Sequence, residues 1–294
     1  VEHRSISDTR VWRGFQQFVL GLAQKVLIAN TVALTADRIF AIDPSELSTV
    51  SAWIGIASYS IQILFDFAGY SNMAIGIGHM LGFTYPPNFQ SPYSAQSITD
   101  FWRRWHISLS SWFRDYVYIP LGGNRRSNAR TYFNLAIVFF LCGLWHGAAW
   151  TFVVWGLWHG ALLIIERLGV SAILQRLPRP VAQLYVLVLV MTGWVFFRAP
   201  SMSYAFDYLQ VLYRIGNVTA GIPWQMHITT SSATILFVGL AIGMTRFEVL
   251  VMARQPLVFS VAEIVKTVST IVALVVCIGS LAAGTYNPFI YFHF

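Results

Sequence analysis

The sequence predicts an all-α, multi-pass transmembrane helical bundle with amphipathic interfacial helices, and three observations carry the prediction. The chain is 56% hydrophobic and 11% charged, where soluble domains carry roughly 25% charged residues. Its mean hydropathy is +0.60, and the apolar residues gather into runs long enough to cross a bilayer, for which ~20 residues suffice. Between two of these runs lies a segment, residues 97–119, whose apolar and basic positions separate onto opposite helical faces, as in a helix lying at a membrane surface.

Taken in order, residues 15–36 read as a first helix that carries Gln16, Gln17, Gln24 and Lys25. It therefore lies partly in the interface or faces a polar interior. Residues 50–83 form a run of about 51 Å if wholly helical, too long for one untilted crossing. Gly69, Gly76, Gly78 and Gly82 offer places to bend it. The prolines Pro86, Pro87 and Pro92 then exclude regular helix, because proline restricts its own backbone and its neighbour's. Ser97-Ile-Thr-Asp100 reads as a helix start with capping-box spacing. Beyond it, Ile98, Phe101, Trp102, Trp105, Leu109, Trp112, Phe113 and Tyr116 fall at helical spacing. They form a stripe about 120–140° wide at 100° per residue. Arg103, Ser110 and Arg114 lie opposite, and His106 lies at the boundary.

Residues 131–166 form another apolar run, either one kinked helix or two shorter ones bent near Gly143 and Gly147. Residues 181–198, 232–252 and 258–283 are further spans, with Arg198 at a membrane edge. Residues 200–230 read as a loop with a short helix, and the aromatic tail Tyr286–Phe294 as packing back on the protein. No second soluble domain is evident, so residues 1–294 read as a single membrane domain.

The net charge of +7 is uneven. Arg103, Arg104, Arg114, Arg125, Arg126 and Arg130 fall within thirty residues whose one acid is Asp115. This is the pattern of a cytoplasmic positive-inside loop, and it also suits attraction of phosphate groups. Nothing resembles a nucleic-acid-binding module. Cys142 and Cys277 sit in apolar runs and do not suggest a disulfide framework. No metal site is expected, since His-x-x-x-His and Cys-x-x-Cys spacings are absent. The chain opens on Val1 and a polar stretch without a signal peptide. The expectation is that the upstream part of a longer protein is missing.

The candidate chemistry lies in two histidines. His106 follows an arginine pair, and His146 sits in Gly143-Leu-Trp-His-Gly147, which recurs as Gly156-Leu-Trp-His-Gly160. Imidazole titrates near neutrality, and an ionisable group inside a membrane segment marks a functional site by default. On one continuous helix His146 and His159 would be about 20 Å and 220° apart. They could then not share a site; a break between them would let them approach, but nothing in the sequence demands one, and the reading is that one is chemical and the other structural. His146 is preferred because Gly147, Ala148 and Ala149 leave space beside it. Cys142, one turn earlier, is read as a buried hydrophobe rather than a nucleophile. Asp66, inside an apolar run, needs a partner, either Tyr70 or an arginine of the 103–114 segment.

The ordered motifs Asp66-Phe-Ala-Gly-Tyr-Ser-Asn-Met-Ala-Ile-Gly76, Asn88-Phe-Gln-Ser-Pro-Tyr93, Asp100-Phe-Trp-Arg-Arg-Trp-His106-Ile-Ser-Leu-Ser-Ser-Trp, Tyr118-Ile-Pro-Leu-Gly-Gly123 and Gly143-Leu-Trp-His146-Gly resemble the membrane-bound O-acyltransferase superfamily. The similarity is to the branch serving exported polymers such as alginate and teichoic acid, and Thr285-Tyr-Asn-Pro-Phe-Ile-Tyr-Phe fits its alginate side. The resemblance implies a multi-pass fold with an internal cavity, His146 as the catalytic base and His106 as a second polar group of the site, acting on the donor carbonyl. It implies no bound cofactor. Acetyl-CoA or another acyl donor would be the substrate, with Arg103, Arg104 and Arg114 drawing in its phosphates. The acceptor would be an exported polysaccharide at the cell inner membrane. Periplasmic or secreted acetyltransferase-like proteins and membrane lipid would be the other partners. Members carry further helices before the position matching Val1, so a partial domain, inactive by itself, is expected. The rival readings are a transporter or export channel with proton-relaying Asp and His residues, or an acyltransferase acting on lipid or protein.

Overall fold

A computed structural model of the chain describes residues 6–215, 221–245 and 261–284. Helices α1 (Asp8–Ala23) and α2 (Asn30–Phe40) run on from one another through a π-helical turn, Gln24–Ala29. They are followed by α3 (Thr49–Met80), α4 (Ile98–Arg104), α5 (Ile107–Phe113), α6 (Asn128–His146), α7 (Trp150–Ile165), α8 (Ser171–Leu174), α9 (Arg179–Arg198), α10 (Met202–Tyr213), α11 (Thr230–Met244) and α12 (Val261–Ala282). Among the described residues, five helical stretches are long and apolar enough to cross a membrane: Asp8–Phe40, Thr49–Met80, Trp150–Leu174, Arg179–Arg198 and Glu263–Ala282. Among the described residues the only β feature is an isolated bridge between Leu47 and Ile222. The spans read at 232–252 and 258–283 are described only in part, and the tail Tyr286–Phe294 lies outside the described residues.

The 50–83 run does not bend at its glycines. It is one helix, and the glycines do other work. Gly69 and Gly76 face Gly21 and Gly14 of α1, and a Cβ on Gly14 would lie 2.6 Å from the Gly76 carbonyl oxygen. The pairs 14/76 and 21/69 run in opposite directions, so α1 and α3 are antiparallel with their backbones in contact. Small residues at such seams are the usual means of close helix approach in membranes. Gly82, at φ 85°, ends the helix. Phe83 N–H donates to Gly78 O at 2.8 Å and Gly82 N–H to His79 O at 3.0 Å, the pattern of a Schellman cap.

The 131–166 run resolves as two helices. α6 and α7 form an antiparallel hairpin whose seam is made by the repeated motif. Gly143 faces Phe152 and Val153, Gly156 faces Phe139 and Gly143, and Gly160 faces Leu135 and Phe139. The glycines of Gly-Leu-Trp-His-Gly are thus a packing code. A Cβ on Gly143 would lie 2.5 Å from Phe152 O. Gly143→Ala should therefore cost about 1–3 kcal/mol through overpacking. Gly279→Ala on α12, with open space around it, should stabilise by about 0.5–1 kcal/mol. Thermal unfolding of the two variants in detergent checks the contrast.

The core is aromatic. Trp155, Trp194, Tyr59, Phe101 and Tyr208 are almost wholly buried among α3, α4, α7, α9 and α10. By contrast α12 lies against α1 and presents exposed Val265, Val268, Val272 and Val275, a face suited to lipid. Arg198 ends α9, as expected for a membrane edge, and pairs with Asp37 at 2.8 Å beneath the rings of Phe40 and Tyr59.

Candidate active site

The interfacial segment is not one helix, and its break builds the site. α4 starts at Ser97, whose hydroxyl accepts from Asp100 N–H at 3.0 Å. Its first amides are also held from a distance. The buried Glu166 carboxylate accepts from Ile98 N–H at 2.6 Å, Thr99 N–H at 3.1 Å and the Thr99 hydroxyl at 3.0 Å. Seven residues later the ladder is interrupted by the proline-rich loop. Gln90 N–H donates to Arg104 O at 3.0 Å, and Ile107 N–H donates to Asn88 O at 2.9 Å. Those two bonds divert backbone groups that a continuous helix would pair internally. The turn places His106 at φ 43°, ψ 56°, a left-handed conformation that costs of order 1–3 kcal/mol for a non-glycine residue. The break also rotates the second half of the stripe outward, so Trp112 and Tyr116, expected on the apolar face, are 50% and 69% exposed.

His106 is buried against Phe67 and Phe89. Its Nδ1 lies 3.3 Å from Asn88 Oδ1. That amide oxygen is identified by its other bonds, since it accepts from Ser108 N–H at 3.1 Å and the Ser108 hydroxyl at 2.9 Å. Nδ1 is therefore the protonated nitrogen, and Nε2 carries the lone pair. His106 lies outside the spanning helices, and burial pushes its imidazole down to about 4, so the ring is neutral near pH 7. The geometry thus suits it to accept a hydrogen bond at Nε2 rather than to polarise a carbonyl by donating one.

His146 ends α6. Its ring is half-buried against Trp145, Trp155 and Phe197, with centroids at 4.9, 4.9 and 5.1 Å. Trp145 also meets His106 at 6.2 Å. The two histidines, forty residues apart in sequence, thus flank one tryptophan. The helix break brings His159 near as well: Trp155 stands between His146 and His159 at 4.9 and 5.3 Å. This is the approach that the sequence reading allowed only if the helix broke between them, and the break after His146 supplies it. His159 is 0% exposed and enclosed by Phe101, Trp102 and Trp194. Of the pair, His146 is the one a substrate could reach. The space expected beside it at Gly147 is filled by the Phe152 ring, while Ala148 and Ala149 are exposed.

A cavity of about 320 Å³ opens between α4–α5 and the α6–α7 hairpin. Its mouth carries Arg103, Arg114 and Arg167 with Ser110 and Ser111, and its walls are Leu135, Val138, Phe139, Cys142 and Leu163. Neither His106 nor His146 lines it. Cys142 does, and His146 follows one helical turn later on the same face. Arg104, expected beside the other arginines, does not line the cavity. It pairs with Asp100 at 2.8 Å and reaches Ser94 Oγ at 3.4 Å, which anchors the loop. Arg114 also bonds the exposed Asp115 carboxylate at 2.7 and 3.1 Å, holding that carboxyl below its usual range.

Asp66 pairs with Lys25 of the π-helical turn, both side chains being buried, a partner that the sequence reading did not name. Glu166, Asn88 and Arg167 are the residues that sequence reasoning passed over. Glu166 carried a signal as an acid at the end of an apolar run, and Asn88 as the first residue of a recognised motif.

Among the described residues, five membrane-length helices and the absence of a β-strand define a multi-pass helical membrane protein, which also carries an aromatic-enclosed histidine pair and a basic-mouthed apolar cavity. The membrane-bound O-acyltransferase family model matches residues 2–205, and the chain belongs to that family. It is 39% identical to a probable alginate O-acetylase of Azotobacter vinelandii over 99% of this chain and 64% of that protein. It is 44% identical to a probable alginate O-acetylase of Pseudomonas aeruginosa over 76% and 42%. A peptidoglycan O-acetyltransferase of Helicobacter pylori is 42% identical over 69% and 39%. The chain therefore spans between about two fifths and just under two thirds of the length of these relatives.

Proposed function

We propose that the chain is the catalytic part of a membrane O-acyltransferase that moves an acetyl or other acyl group from a cytoplasmic thioester toward hydroxyls of an exported polysaccharide. The observation that carries the reading is the cavity with arginines at its mouth and an apolar interior that ends one helical turn below His146. A donor such as acetyl-CoA would place phosphates against Arg103, Arg114 and Arg167 and its thioester arm along Leu135, Phe139 and Cys142. Apolar walls exclude the water that would hydrolyse it. His146 then takes the proton from the acceptor hydroxyl as the hydroxyl oxygen attacks the thioester carbonyl. The C–O bond forms, the C–S bond breaks, and the proton passes to the leaving thiolate. His106, neutral with its lone pair at Nε2, orients the acceptor side as a hydrogen-bond acceptor.

Relatives named for alginate and peptidoglycan acetylation support a polysaccharide acceptor. The inner membrane is the matching location, and secreted acetyltransferase-like proteins are the matching partners for completing the transfer outside. The buried Lys25–Asp66 pair is the feature that favours the rival, a transporter, but neither residue lines the cavity. Labelled acetyl-CoA offered to the complete protein in proteoliposomes separates the two. An acyltransferase consumes it with an acceptor, whereas a channel leaves it intact. Arg103→Gln together with Arg167→Gln should raise KM for the donor about tenfold, each charge-assisted phosphate bond contributing about 0.7 kcal/mol at an exposed mouth. A truncated thioester lacking phosphates should show no change.

A further inference from the structure

The α1–α3 seam holds a second feature that acyl transfer does not use. The glycine contacts at 14/76 and 21/69 close the helices tightly, and the π-helical turn Gln24–Ala29 follows directly. Such turns recur at functional sites. From there the seam is polar. Asn72 Nδ2 donates to Gln24 Oε1 at 2.8 Å, and Lys25 pairs with Asp66. Tyr59 and Gln62 continue the row at i, i+3/i+4 spacing on the face of α3 that carries Asp66 and Gly69. The row ends at Arg198, whose guanidinium lies 5.9 Å from the Tyr59 ring. The Arg198–Asp37 pair there is about one-third exposed, at 32% and 30%.

Asn30 Nδ2, Ser58 Oγ, Tyr59 Oη and Gln62 Oε1 are buried and have no hydrogen-bond partner in the protein. Each residue is at least nine-tenths buried. Four orphaned polar atoms beside a buried ion pair in membrane-spanning helices require a partner, since unsatisfied groups there are costly, and buried polar groups lacking protein partners are satisfied by ordered water.

We propose that this seam is an aqueous inlet, a file of ordered water running from the Arg198–Asp37 pair inward to Lys25–Asp66, about 10 Å from Tyr59 to Asp66 along α3. The water satisfies Tyr59, Ser58, Gln62 and Asn30 and keeps the ion pair in contact with the aqueous phase.

Hydroxyl-radical footprinting of the unmutated, membrane-reconstituted protein tests it, because radicals formed from bound water oxidise the residues beside it. Tyr93 and Tyr208 are the controls. They are as buried as Tyr59, but their hydroxyls donate to Ser60 O at 2.6 Å and Ala52 O at 2.7 Å. Tyr59 should be oxidised about tenfold faster than either, as expected of a side chain beside ordered water. In parallel, Gln62→Cys should react with a small hydrophilic thiosulfonate faster than Ile56→Cys, which replaces a wholly buried apolar residue of the same helix. Equal rates within either comparison overturn the inlet.

Discussion

Replacing His146 by alanine in the complete protein should lower kcat/KM for acyl transfer by about 10²–10⁴-fold, equivalent to about 3–5 kcal/mol of transition-state stabilisation. The size follows from what a general base contributes. A hydroxyl stays a weak nucleophile until its proton has somewhere to go, and His146 is the residue that ends α6 at the bend. His159, fully enclosed beyond Trp155, is the internal comparison. His159→Gln alters packing but removes no reachable base, so its folded fraction should retain most of the activity. The measurement is single-turnover consumption of a labelled thioester by each variant, with folding checked by thermal unfolding. Equal losses at 146 and 159 would mean that both act through the aromatic core rather than through proton transfer.

The largest effect on stability should come from Asp66→Ala. Both members of the Lys25–Asp66 pair are almost wholly buried, and removing one partner leaves an uncompensated charge among apolar helices, typically a loss of 3–5 kcal/mol. The expected cost here is about 3 kcal/mol, near the lower end because water in the seam screens the remaining ammonium. In thermal unfolding this is a fall of roughly 6–12 °C for a protein of this size. Replacing both partners, Lys25→Met with Asp66→Leu, should recover most of the loss, because packed apolar side chains of similar volume substitute well for a buried pair. A single variant as stable as the parent would show that the pair contributes nothing to the fold.

Much of this was legible in the sequence, and the boundary has physical causes. Composition and run length located the spans, because hydrocarbon thickness sets helix length directly. The aromatic motifs located His106 and His146 because polar groups in apolar runs stand out. What stayed hidden depended on partners distant in the chain. The break at His106 is made by Asn88 and Gln90, and a periodicity of apolar residues cannot register a backbone bond to a loop. Glycines in α3 and in the repeated motif were read as hinges or as room for substrate. Gly69, Gly76 and Gly143 are contact points between helices, whereas Gly147 does stand at the bend between α6 and α7, and a glycine's spacing alone does not distinguish a bend from a seam. Lys25 and Asp66 were each visible as anomalies, but only the antiparallel register of α1 and α3 joins them.

The most direct test of the central claim is mass spectrometry of the exported polymer from cells carrying the parental gene or its His146→Gln allele, at matched membrane levels of protein. The account predicts O-acyl esters on the polymer in the first case and their near-complete loss in the second. Undiminished esterification with glutamine at position 146 would contradict it.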